Sequence, residues 1–305
     1  MKKIKELIMN FIQGFCMALA DSVPGVSGGT VAFLLGFYDK FISSLDNLFR
    51  GNLEDKKIAL KFLIKLGIGW VIGFAISVTI LSNLFNTQIY AMSSLFIGFI
   101  IFAIPIVIYE EKEILKSNYK SIIFTILGIG LVVLITMLTS SNGQTVDISN
   151  LSLKTIIYVF ITAAIAISAM VLPGISGSTL LLIFGLYIPI TNAIKEFLHF
   201  NFSFFPILFI FGLGIIAGII LFVRLIRKCL DKYRSQTIYS IIGMMLGSLY
   251  SIINGPATLS DPQPAMSLET FNILFFIIGI FILVALQAFK FFIEKKREKE
   301  KEERC

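Results

Sequence analysis

Two serines in this chain share one setting. Val23-Pro24-Gly25-Val26-Ser27-Gly28-Gly29-Thr30 recurs 149 positions later as Leu172-Pro173-Gly174-Ile175-Ser176-Gly177-Ser178-Thr179. Proline lacks a backbone donor and disfavours helix for the residue before it. Glycine permits the turn that follows. Each serine then stands where the N-cap of a new helix would stand. Gly28, Gly29 and Thr30, or Gly177, Ser178 and Thr179, would present backbone N–H groups behind it. A helix beginning there turns its positive dipole end and free donors outward, which is the chemistry of anion binding. The plainer reading is a compact turn of small residues that lets helices pack closely. Recurrence in both halves of the chain favours the anion.

Other chemistries fit less well. A Walker phosphate loop needs a lysine that neither phrase has, and there is no HExxH or carboxylate cluster for a metal. Gly25-Val26-Ser27-Gly28 and Gly174-Ile175-Ser176-Gly177 spell GxSG, the serine motif of rhomboid intramembrane proteases. A serine nucleophile needs a base within reach. The sole histidine, His199, cannot serve two serines, and it reads as an ordinary membrane-interface residue. No catalytic residue, metal or cofactor is therefore expected. Cys16, Cys229 and Cys305 are odd in number and scattered, which suits neither a disulfide framework nor a zinc site.

Two charged residues remain as candidates for coupling or substrate contact. Asp21 lies just before the first break, and an intramembrane carboxylate is a functional candidate by default. It would carry a proton, or cap the nearby helix end. The second copy has Met170 at that position, so the role is asymmetric. Arg224 follows a long apolar stretch together with Arg227. Both read first as snorkelling anchors, with Arg224 kept as a second candidate.

The elements that must hold these residues are membrane helices. The chain has 305 residues, 56% hydrophobic and 15% charged, against about 25% charged in a soluble domain. Apolar runs recur from Phe62 to Phe292, several reaching the ~20 residues that span a bilayer. The net charge of +7 reads as cytoplasmic loops and tails, not as a nucleic-acid surface. The N-terminal stretch ending Ala18-Leu19-Ala20 imitates a signal-peptidase site. Its Glu6, Asn10 and Gln13 suit a signal poorly, and residues 4–20 are expected to be retained structure.

The duplication extends beyond the breaks. Gly36 and Tyr38 pair with Gly185 and Tyr187 at the same offset of 149. LGIGWVIG (66–73) matches FGLGIIAG (211–218) at offset 145, and Gly98 meets Gly243 at that offset. Lys and Arg concentrate at the start, in 50–65, 112–120 and 224–234, and in the tail, which places these segments and both termini in the cytoplasm. Segments 83–90, 139–153 and 254–270 lack both residues and are placed outside.

Threading the chain through these marks gives an all-α polytopic protein of two inverted-topology repeats. The first, 1–138, is a hairpin (4–45) and crossings at 62–82, 91–109 and 121–138. An external loop (139–154) leads to the second, 155–290. That repeat has a hairpin (155–200) and crossings at 206–223, 236–253 and 271–290, before a charged tail, 291–305. Each hairpin is re-entrant or a broken pair of crossings, with arms of about 18 residues. Inverted repeats with interrupted helices are the architecture of secondary transporters, which place their sites at the breaks.

ADSVPGVSGGTVAFLLGFY, its echo LPGISGSTLLLIFGLY and the chain length resemble the PopT family of bacterial undecaprenyl-phosphate (polyprenyl-phosphate) translocases, over roughly residues 5–290. The resemblance implies a plasma-membrane transporter that returns the carrier lipid of cell-wall synthesis from the outer to the inner leaflet. Its partners would be the lipid and the bilayer. The headgroup residues would be Ser27, Gly28, Gly29 and Thr30 with Ser176, Gly177, Ser178 and Thr179. Ser178 in place of Gly29 would make the second arm less close-fitting or add a donor. An ion-coupled transporter of a small soluble anion is the alternative.

Overall fold

The protein is described by a computed structural model covering residues 2–21, 27–141, 146, 148, 152–175, 177–198, 200–258 and 263–302. The described residues form twelve α-helices, a few 3-10 turns and no strand. They are α1 (Lys2–Asp21), α2 (Gly28–Leu34), α3 (Tyr38–Arg50), α4 (Leu53–Glu110), α5 (Lys112–Ser117) and α6 (Ile123–Ser141). α7 (Leu153–Val171), α8 (Gly177–Ile183), α9 (Tyr187–Leu198), α10 (Phe205–Lys232), α11 (Arg234–Asn254) and α12 (Ile273–Glu302) follow.

Among the described residues, six helical stretches are long and apolar enough to cross a membrane: Leu53–Ser77, Gln88–Glu110, Tyr119–Leu138, Leu153–Val171, Phe202–Lys232 and Arg234–Ala257. Much of their surface points outward. Ile126, Leu127, Leu134 and Phe209, for example, are each more than half exposed. So much outward apolar surface is stable only against lipid, and the chain is an all-α multi-pass membrane protein. The expected crossing at 271–290 overlaps α12 from Ile273 onward.

Each Pro-Gly phrase follows a long helix, α1 of 20 residues or α7 of 19. The return is itself broken. Gly36 (φ 69°) and Gly185 (φ 66°) adopt the left-handed conformation that glycine alone takes without penalty. They end α2 and α8 after seven residues and start α3 and α9. The same bonds close both turns: Phe37 N–H to Ala32 O at 3.0 Å, and Leu186 N–H to Leu181 O at 2.8 Å. The return arms are thus two helices each, where the sequence suggested one arm of about 18 residues.

Glycines set the helix pairings. A Cβ added at Gly69 or Gly73 would strike the backbone of Phe11 or Phe15, so α1 lies directly along the first part of α4. Gly214 and Gly218 stand in the same relation to Phe160 and Ala164 of α7. Gly243 meets Thr125, and Gly128 meets Ser240, joining α11 to α6. Gly98 meets Phe276, and Gly279 meets Leu95, joining α12 to the second part of α4. Gly69 and Gly73 step with Phe11 and Phe15, Gly214 and Gly218 with Phe160 and Ala164, and Gly243 and Gly247 with Thr125 and Val132; the Asn272 N–H to Ser94 Oγ bond precedes the Gly98–Phe276 contact in the same sense, so each pair runs in the same direction.

α4 is interrupted at Gln88 (φ −135°, ψ 39°). The junction of α10 and α11 is Tyr233, with nearly the same backbone (φ −128°, ψ 41°). Gln88 and Tyr233 are 145 positions apart, the offset that aligns the glycines.

Candidate functional site

The two breaks touch. Ser27 caps α2 in an extended conformation, its Oγ accepting the Gly29 N–H at 3.0 Å. The same hydroxyl donates to the Leu172 carbonyl at 2.8 Å, beyond the end of α7. A carbonyl at a helix C-terminus has no intrahelical donor, and Pro173 supplies none. One serine therefore caps a helix start in one half and a helix end in the other. One turn on, Thr30 Oγ1 accepts the Gly174 N–H at 2.8 Å. Ser27 and Thr30 are both buried, as is all of α2.

Glycine is required at this crossing. A Cβ at Gly29 would lie 2.5 Å from the Val171 carbonyl oxygen and 3.1 Å from Leu172 C and Pro173 N. Gly174 has φ 86°, and a Cβ there would lie 2.6 Å from the Met244 backbone of α11. Small residues thus bring backbone against backbone, as in close-packed membrane helices.

Asp21 answers the remaining donor of α2. Its Oδ1 accepts the Gly28 N–H at 2.7 Å, and its Oδ2 accepts Trp70 Nε1–H at 2.9 Å. A carboxylate at a helix start is favoured by the N-terminal partial charge. The sequence reading expected Gly28 and Gly29 to offer free donors. In this conformation both are taken, by Asp21 and by Ser27. At the far end of α2, Gln287 of α12 donates Nε2–H to the Leu34 carbonyl at 2.8 Å.

The second break is described only in part. Gly177 is buried, and a Cβ on it would lie 2.9 Å from the Ala166 carbonyl and 3.1 Å from Met170 Cβ. Met170 thus stands beside the start of α8, where Asp21 stands beside α2. Ser176 and His199 lie outside the described residues, as do the side chains of Ser178 and Thr179.

Comparison with known proteins places the chain in a family. A model of the undecaprenyl phosphate translocase-like family matches residues 17–270, a span that holds both breaks. The chain belongs to that family. It is 35% identical over 257 residues to a polyprenyl-phosphate transporter of Staphylococcus aureus, covering 82% of this chain and 87% of the relative. It is 32% identical over 268 residues to a polyprenyl-phosphate transporter of Vibrio cholerae, covering 85% and 81%. No solved structure matches the chain.

Of the residues singled out from sequence, the structure brings Asp21, Ser27, Gly28, Gly29 and Thr30 together with Leu172 and Gly174. Arg224 is not among them. It is exposed on α10, without a hydrogen bond or ion pair among the described residues. Arg227 holds Asp46 at 2.7 Å and Asn47 at 2.8 Å, and Arg234 holds Glu111 at 2.6 Å and Asp39 at 2.9 Å. Lys65 pairs with Glu6 at 3.2 Å.

Trp70 and Gln287 escaped the sequence reading. Each carried a signal: Trp70 is the chain's one tryptophan, set among the repeated glycines, and Gln287 is a polar residue in an apolar helix.

Proposed function

We propose that this protein transports polyprenyl phosphate, undecaprenyl phosphate in the bacterial plasma membrane, from the outer to the inner leaflet. The observation that carries the reading is identity of 32–35% to two polyprenyl-phosphate transporters over more than four-fifths of the chain. Two inverted repeats, 1–138 and 155–290, would present the headgroup site alternately to each face, with both termini cytoplasmic. The recurrence of equivalent glycine contacts and of the Gln88 and Tyr233 backbone supports that arrangement.

The phosphate would bind near the membrane midplane where the breaks cross, among Ser27, Gly28, Gly29, Thr30, Ser176, Gly177, Ser178 and Thr179. Asp21 already satisfies the first helix start, so a phosphate arriving there must displace a carboxylate. The second start has Met170 in place of the acid and would be the stronger attractor of the two. The isoprenoid tail would stay in lipid, and the substrate would leave chemically unchanged. Arg224, exposed on α10, would meet headgroups at the cytoplasmic surface.

The test is reconstitution in liposomes with undecaprenyl phosphate in one leaflet, read as leaflet exchange, alongside uptake of inorganic phosphate into the lumen. Lipid exchange without phosphate uptake is expected. Uptake of phosphate without lipid exchange would replace this reading by a carrier of a small soluble anion.

A further inference from the structure

The mechanical seams of this protein do not follow the boundary between its two sequence repeats. α6, of the first repeat, lies on α11, of the second. The second part of α4 lies on α12 in the same exchanged manner. Four glycines make the contacts backbone to backbone: Gly128 and Gly243 in one pair, Gly98 and Gly279 in the other. α11 packs against α4 as well, which joins the pairs into one four-helix body. Helices paired by two such glycines cannot slide along one another without driving carbonyls together, whereas Gly174, between α7 and α8, makes a single such contact with Met244 of α11. A repeat moving as a unit would have to pull α6 off α11 and α12 off α4.

The remaining helices form two units of like build. One is α1, α2 and α3 with the first part of α4; the other is α7, α8 and α9 with α10. The first joins the four-helix body covalently only at Gln88, whose backbone is non-helical; the second joins it at Tyr233, of nearly the same backbone, and through the chain that leads from α6 to α7. Hinges are a few element-terminal residues that absorb a change in φ and ψ.

We propose that transport swings these two units as levers about Gln88 and Tyr233 on the fixed body of α4 (second part), α6, α11 and α12. We assign Arg227 and Arg234 as the latch that holds the levers on one face. The inference rests on the transport reading above.

The latch closes on α3. Arg227 of α10 binds Asp46 and Asn47 at its C-terminal end, and Arg234, next to the Tyr233 hinge, binds Asp39 at its start. Arg234 also holds Glu111 at the end of α4. α3 is therefore tied to the other lever and to the fixed body at once. The duplication does not copy this device. The positions equivalent to Asp39, Asp46, Arg227 and Arg234 are Ile188, Lys195, Ser82 and Ile89. The ionic closure belongs to the basic, cytoplasmic face, and its opening releases the lever that carries α2.

Spin-label distances separate this motion from rigid repeats. Cys16, Cys229 and Cys305 are first replaced by serine. Nitroxides at Leu60 and Ile101 flank the Gln88 hinge within one repeat, while Ile126 and Leu246 report on α6 and α11 across repeats; all four positions are exposed. Distances are measured in liposomes with and without undecaprenyl phosphate, and in the Arg227→Gln/Arg234→Gln form. The expected result is a shift of several ångström in the Leu60–Ile101 distance and a constant Ile126–Leu246 distance. The reverse result means repeats moving as rigid bodies and overturns the proposal, as does constancy of both pairs in every form.

A second measurement bears on the latch. Asp46→Cys/Arg227→Cys, joined by a cleavable thiol cross-linker, should lose lipid exchange when linked and regain it on cleavage. Wild-type exchange in the linked protein overturns the latch. Failure of the transport reading itself appears elsewhere, as unmodified protein that moves no lipid while its distances still change.

Discussion

Gly174 donates its N–H to Thr30 Oγ1 at 2.8 Å, a bond between residues 144 positions apart that ties one Pro-Gly break to the other. Both partners are buried. Thr30→Val keeps the shape and removes the acceptor, leaving a buried donor unpaired at a cost of about 1–3 kcal/mol. Thr30→Ser restores the acceptor. Thermal unfolding in detergent should place the valine variant well below the serine variant, with lipid exchange falling in the same order.

Gly29→Ala puts a methyl group 2.5 Å from the Val171 carbonyl, and backbone on that side has little room to yield. Overpacking of this kind costs about 1–3 kcal/mol and should separate the breaks. Gly67, where a Cβ meets nothing within 4 Å, is the control. Exchange by Gly29→Ala should be lost or much reduced, and Gly67→Ala should match wild type. Equal activity of the two would show that the close approach at Gly29 is dispensable.

Asp21 serves two donors, so its substitutions separate them. Asp21→Asn keeps an acceptor for the Gly28 N–H and turns an amide nitrogen, which cannot accept, toward Trp70. Asp21→Leu leaves both donors unmatched. The leucine variant should be the less stable by about 1–3 kcal/mol. Trp70 is the only tryptophan, so its fluorescence reports this site alone. Its emission should change in Asp21→Asn even where the melting temperature does not.

Asp46 is largely covered and Arg227 about one-third exposed. Truncating one partner of a partly buried pair leaves the other charge uncompensated. Arg227→Ala and Asp46→Ala should each alter the exchange rate. The Asp46→Arg/Arg227→Asp swap should return it part of the way to wild type. A swap no better than the worse single variant would mean that the pair does not act as a pair.

Much of the architecture was legible before any coordinates. Apolar runs mark the helices, because hydrocarbon thickness acts directly on composition. The repeated glycines mark helix contacts for a like reason: two backbones approach closely only where a side chain is missing. The second break in each hairpin was half visible. Gly36-x-Tyr38 and Gly185-x-Tyr187 stood out as repeat landmarks, but a positive φ is not written in a glycine.

The site was legible in its residues and not in its bonds. Ser27 reads as a cap from local sequence, whereas its bond to Leu172 spans 145 positions and depends on how the halves cross. Asp21 read equally as proton carrier or cap; the placement of Trp70 and Gly28 around it makes the cap an observed contact. Arg224 and Arg227, three residues apart, looked alike in sequence. Helical geometry turns them different ways, and only Arg227 meets an acidic partner on α3, Asp46.

The central claim is that polyprenyl phosphate crosses where the two breaks meet. Its most direct test is leaflet exchange of undecaprenyl phosphate in liposomes, comparing wild type, the Ser27→Ala/Ser176→Ala pair and Gly67→Ala, each verified as folded by its melting curve. The account predicts exchange by wild type and Gly67→Ala, and loss of most of it in the paired serine variant. Undiminished exchange by a folded Ser27→Ala/Ser176→Ala protein would contradict it and move the substrate's path away from the breaks.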